Sequence, residues 1–97
     1  MRQLAVLLAG VRWRVRWVTR LGKVPGTRHD KAGDCDKGAR VIRLLHGLTE
    51  HEERRVLIHE MLHAECDWLD EQHVDEISAR INDALSKCGH PARRGDA

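Results

Sequence analysis

Phenylalanine and tyrosine are absent from the 97-residue chain, so Trp13, Trp17 and Trp68 carry its aromatic bulk and aliphatic side chains must fill the rest of the core. Long apolar runs are lacking too. The stretch Leu4 to Ala9 is far short of the roughly 20 residues a helical membrane span needs, and arginines at alternate positions follow it rather than a small-residue cleavage site. No membrane role is expected. Cysteine is sparse and odd in number, at Cys35, Cys66 and Cys88, with no secretory-type segment ahead of it, so the expectation is a cytoplasmic protein with reduced thiols rather than a disulfide framework. A charge excess is also missing. Seventeen basic residues nearly balance fifteen acidic ones for a net charge of +2, which does not predict a nucleic-acid partner. Arginines nevertheless cluster before residue 45 and acids after residue 49, giving the two halves opposite character.

What remains is an ordinary globular composition, 41% hydrophobic and 33% charged, in a length that bounds the chain to one domain. The domain is expected over residues 1–89, with 90–97 as a disordered tail. From Val11 to Trp17 the residues alternate without a break. Val11, Trp13, Val15 and Trp17 point one way and Arg12, Arg14 and Arg16 the other, the period of a half-buried strand. Three arginines on a strand's solvent face could contact phosphates, yet such a row usually means only solubility and edge protection, and nucleic acid is not the expected partner. Leu4 to Leu8 ends at Ala9-Gly10, which predicts a β-hairpin turning at Gly10. Leu21 to Gly38 has loop composition, including Gly33-Asp34-Cys35-Asp36, where the carboxylates beside Cys35 should raise its thiol pKa. Arg40 to Leu45 reads as a further strand.

Thr49-Glu50-His51-Glu52 is a capping box, predicting a helix from about Glu50 to Cys66. Asp70 can cap a second helix from Glu71 to Lys87, ended by Gly89 and Pro91, with an expected inner stripe of Val74, Ile77, Ile81, Leu85 and Cys88. The fold class that follows is α+β: a small antiparallel sheet, made of the N-terminal hairpin plus one strand, packed on two antiparallel helices.

Seven histidines raise the prior for metal chemistry, since neutral imidazole is the commonest transition-metal ligand. His59-Glu60-Met61-Leu62-His63 is an HExxH pattern. Four residues make just over one helical turn, so both imidazoles leave the same face about 6 Å apart along the axis and can grip one tetrahedral ion. Glu60 lies about a hundred degrees round the helix from His59, placed to reach water on that ion rather than the ion itself. Val56, His59, Leu62, His63 and Cys66 share one helix face, which is expected to meet the core.

Leu57-Ile58-His59-Glu60-Met61-Leu62-His63-Ala64 resembles the active-site helix of small zincin-type metallopeptidases, the SprT-like and ImmA/IrrE-like families and their short phage-type relatives. The resemblance implies a short sheet ahead of the helix and a carboxylate or histidine on the following segment to complete the site. Its specific part is the HExxH segment, and the chain departs from the pattern in having no tyrosine for an oxyanion. Glu71 is the first choice for third ligand, because it shares a stripe with Val74, Ser78, Ile81 and Leu85, and because its spacing from Val74 resembles the carboxylate-bearing helix of the ImmA/IrrE-like proteins. Asp75 borders that stripe. Glu76 reaches a suitable depth but points outward.

The expectation is therefore one zinc ion per chain on His59, His63 and Glu71, with Glu60 as catalytic general base for hydrolysis of a peptide or protein substrate held between the last strand and the first helix. His73 and His51 are candidate oxyanion donors. The alternative is a non-catalytic module whose structural zinc is held by His59, His63 and Cys66 and closed by Cys35 or Cys88.

Overall fold

The computed structural model describes residues 3–89; the expected tail at 90–97 lies outside them. Strand β1 (Gln3–Leu8) pairs antiparallel with β2 (Val11–Val18) through a two-residue turn. Ala9 and Gly10 both adopt positive φ, 52° and 76°, the turn whose twist matches that of the flanking strands. Along β2 the alternation takes effect: Trp13, Val15 and Trp17 are buried, and Arg12, Arg14 and Arg16 are exposed.

Residues 19–32 form a loop drawn together by a Lys23–Asp30 bridge and the Val24 N–H to His29 carbonyl bond of 2.8 Å. It delivers β3 (Gly33–Asp36) to the edge of the sheet, and β4 (Val41–Leu45) then returns between β3 and β2. The order is β1-β2-β4-β3, with β2 and β4 parallel and the other pairs antiparallel. Two expectations are corrected here. The sheet is mixed rather than antiparallel throughout, because the intervening edge strand reverses the chain before β4 begins. Gly33 to Asp36 is also a strand and not loop, its weak β-propensity outweighed by pairing with β4 and packing on the helix that follows.

That helix, α1 (Glu50–Glu65), starts at Thr49, whose hydroxyl accepts from the Glu52 N–H at 3.2 Å. It packs on β3, β4 and β1, burying Val56 with Leu8, Trp13, Val15, Trp17, Ile42 and Leu44. Its far end is tied to the hairpin turn by Glu65, which accepts the Ala9 N–H at 3.0 Å. Gly33 sets the closeness of the helix to the sheet edge. A Cβ there would lie 2.5 Å from Val56 Cγ1 and 3.3 Å from Glu60 Cγ, so a larger residue forces Val56 or its helix to shift.

Helix α2 (Glu71–Lys87) is capped by Asp70, whose carboxylate accepts the His73 N–H at 2.8 Å. It packs against α1 rather than the sheet. Its buried residues are Val74, Ser78 and Asn82, whereas Ile81 is 39% exposed and Cys88 lies on the surface. The expected stripe is thus rotated. The cause is Arg54 of α1, whose guanidinium donates to the Asn82 side chain, the Asn82 carbonyl and the Ser86 hydroxyl; a charge held between two helices needs acceptors facing it. Trp68, expected to add core bulk, is 75% exposed in the connection between the helices.

Candidate metal centre

Turning α2 in this way brings its first two turns over the histidines of α1. His59 Nε2 lies 3.2 Å from His63 Nε2 and 2.9 Å from Glu71 Oε1, and His63 Nε2 lies 2.9 Å from Glu71 Oε2. Both imidazole side chains are largely enclosed, 12% and 24% exposed, while Glu71 reaches in from the surface. One ligand atom from each of the three lies within 4.8 Å of the others. Donors about 2.0–2.1 Å from a tetrahedral ion stand about 3.3 Å from one another. The two imidazole nitrogens stand close to that spacing, and a Glu71 oxygen lies beside each of them.

The chemistry of the donors fits a cation as well. His59 Nδ1 is 3.1 Å from Asp75 Oδ1, so a carboxylate stands behind the ring on the side away from His63 and Glu71; with the proton on Nδ1, the Nε2 lone pair is the one directed at them. A carboxylate behind a histidine favours one tautomer and orients the ring. Two imidazole nitrogens and a carboxylate at these distances attract one another only through a shared proton or a metal ion. His59, His63 and Glu71 therefore form a group that could hold a metal ion.

Glu60 sits deeper than either histidine. It is 8% exposed, on the turn of α1 that faces Gly33 of β3, and its carboxyl is pushed up to about 7, chiefly by burial; Glu71 and Asp34 contribute to the rise, and His59 and Lys31 oppose it. The expectation that the histidine face meets the core is corrected here. Val56 and Glu60 face the sheet, and the two histidines face α2 and the cleft. The sequence carries a trace of this, since Val56 and Glu60 are four residues apart and so share a face.

The cleft between β3 and α1 has a volume of about 400 Å³ and is bordered by His59, His63, Glu60 and Glu71 on the helical side, by Gly33, Asp34 and Cys35 on the strand, and by Lys31 and Lys37 at its mouth. A second opening of about 300 Å³, reached past Val24 and Arg55, shares His59, Glu60 and Glu71. The strand beside the site is thus β3, not the last strand.

Other candidates lie elsewhere. Asp75 supports His59 instead of joining the three donors, and Glu76 faces Gln72 and Arg80 along its own helix. Cys66 is the C-cap of α1, Cys35 packs under β3 against the core, and Cys88 is exposed at the end of α2. The sealed His-His-Cys set is therefore not assembled. Burial, then the charge of Glu60, lifts the Cys35 thiol to about 11, with the neighbouring aspartates contributing least. His51 lies against Asn82 and His73 against Asp70, and neither borders the cleft. The sequence reading missed Asp75 as a clamp, Gly33 as the floor of the cleft, and Lys31 and Lys37 as its mouth; the only local signal was Glu71 and Asp75 at four-residue spacing on one helix face.

No family model, no curated protein and no solved structure matches the chain.

Proposed function

We propose that the chain is a zinc-dependent, metallopeptidase-like hydrolase, in which His59, His63 and Glu71 hold one ion and Glu60 is the general base. The observation that carries this reading is the juxtaposition of a converging His-His-Glu set with a buried carboxylate, at the border of a cleft open to solvent. When bound, zinc supplies a Lewis acid that polarises a carbonyl and acidifies water. Glu60 takes up a proton on the cleft side and returns it to the leaving amine, the double duty that suits a carboxyl whose proton affinity is raised by burial. Asp75 keeps the His59 ring in register for this.

An extended peptide is the substrate class the cleft supports. β3 is the outer strand of the sheet on this side, and a peptide laid along its edge pairs main chain to main chain while its carbonyls pass the three donors. The free thiols of Cys35, Cys66 and Cys88 are in keeping with a cytoplasmic location. No helix among the described residues is long and apolar enough to cross a membrane.

The test is a zinc-loaded sample incubated with a mixed peptide library and read by mass spectrometry, with a chelator control. Cleavage should be chelator-sensitive, and Glu60→Gln should lower it at least about 100-fold, the scale for losing a positioned base, with zinc content unchanged. His59→Ala/His63→Ala should bind almost no zinc. A library left intact by the parent, or cut equally by the Glu60 variant, refutes the reading.

A further inference from the structure

The sheet is covered on one side only. α1 lies over the face carrying Trp13, Val15, Trp17, Ile42 and Leu44, and α2 packs on α1, so no described helix covers the opposite face. From that bare face Arg12, Arg14 and Arg16 project at alternate positions of β2, all exposed, and none is in a salt bridge with a described residue. Asp34 and Asp36 are the only carboxylates on the strands, and both are at the far edge and engaged. Arg43 holds Asp34 through contacts of 2.8 and 2.5 Å, and Asp36 accepts the Ala39 N–H at 3.0 Å. Arg40, on the turn leading into β4, joins Arg12 and Arg14 around an open concavity of about 660 Å³ whose wall contains no acidic residue.

The near-neutral total conceals a strong segregation. Eleven of the seventeen basic residues but only three of the fifteen acidic ones fall within residues 1–45, whose described part forms the sheet and its loop, while the helices carry most of the acids. The sheet layer is therefore the more basic side of the molecule and the helix layer the more acidic, an arrangement that steers and orients it on a polyanion whatever its net charge. Alternate residues of a strand are about 7 Å apart, comparable to the step between successive phosphates of a polynucleotide strand. Guanidinium is the side chain best matched to a phosphate fork. Trp13 and Trp17 point into the core, so this face has no aromatic platform on which unpaired bases could stack. That favours the backbone of a duplex over a single strand.

We propose that the bare sheet face, with Arg12, Arg14, Arg16 and Arg40 as phosphate contacts, docks this chain on the backbone of double-stranded nucleic acid without sequence preference. The surface is separate from the metal centre and does not rest on the hydrolase reading. Docking there leaves the cleft between β3 and α1 uncovered.

The experiment is fluorescence anisotropy of a labelled duplex of about 20 base pairs with the full chain, between about 50 and 200 mM salt. Affinity should fall with salt with a log–log slope of about −3 to −4, four contacts at about −0.9 each, and it should be the same with chelator present. Arg12→Gln/Arg14→Gln/Arg16→Gln should weaken binding at least about 100-fold at the lower salt and flatten the slope by about three. Arg40→Gln alone should flatten it by about one. Arg80→Gln/Lys87→Gln, on the helix layer, should change neither. If the triple variant loses its helical circular dichroism, the three single variants carry the test, each flattening the slope by about one. The proposal is overturned by a parent that does not bind at low salt, by sheet variants that bind as the parent does, by equal loss in the α2 pair, or by binding to phosphatidylserine-rich vesicles in preference to the duplex.

Discussion

Replacing Glu60 with glutamine should stabilise the metal-free protein, and only above a definite pH. Folding carries this carboxyl from water to a site 8% exposed, where its pKa rises from an ordinary 4.5 to about 7. Between those two values the folded chain holds a proton that the unfolded chain has lost, so stability falls as pH rises through the interval. Below it both states are protonated and nothing is lost; above it the whole penalty is present. The interval corresponds to about 3 kcal/mol, a large share of the stability of a domain this small. Glutamine has nearly the same volume and no charge to desolvate. Urea unfolding of chelator-treated parent and Glu60→Gln should therefore give similar midpoints near pH 4 and diverge by about 3 kcal/mol at pH 8.5, the variant being the more stable. Zinc should narrow the gap, because a cation nearby favours the ionised carboxyl. A difference between the two proteins that is the same at both pH values would refute the account, since a packing effect of the substitution does not titrate.

Three further outcomes follow from individual contacts. Asp75→Asn removes the carboxylate behind His59 and should lower zinc affinity about 10- to 100-fold in competition with a chromophoric chelator, while Glu76→Gln, one position along, should change it little. Gly33→Ala puts a methyl group where Val56 Cγ1 is 2.5 Å away; it should destabilise the fold by about 1–3 kcal/mol in a urea titration, and unchanged stability would mean that β3 and α1 are less closely apposed than described. At pH 8 a thiol of pKa about 11 is ionised in only about one molecule in a thousand, so a single equivalent of iodoacetamide should modify Cys88 well before Cys35 in a peptide map.

The features legible in the sequence are those fixed by neighbours a few residues away. Thr49 and Asp70 announce their helices because a cap depends on the next three residues. The alternation of β2 declares which side is buried, and Ala9-Gly10 marks a turn that two positive φ angles require. His59 and His63 are bound to face the same way because the helical repeat puts them there. None of this depends on the rest of the chain.

Contacts across the fold decided everything else. Gly33-Asp34-Cys35-Asp36 has the composition of a loop and becomes a strand because β4 offers it a ladder and Gly33 admits Val56 close beside it. The buried side of α2 runs through Ser78 and Asn82 instead of Ile81 because a guanidinium on the neighbouring helix must find acceptors. Composition sums charges and cannot say that the arginines share a face while the acids occupy another layer. Nor could it say that Glu71 would meet the histidines and Asp75 would stand behind one of them. That choice depends on the height and rotation of α2 against α1, which are settled by packing between residues far apart in the chain, and no local periodicity encodes them.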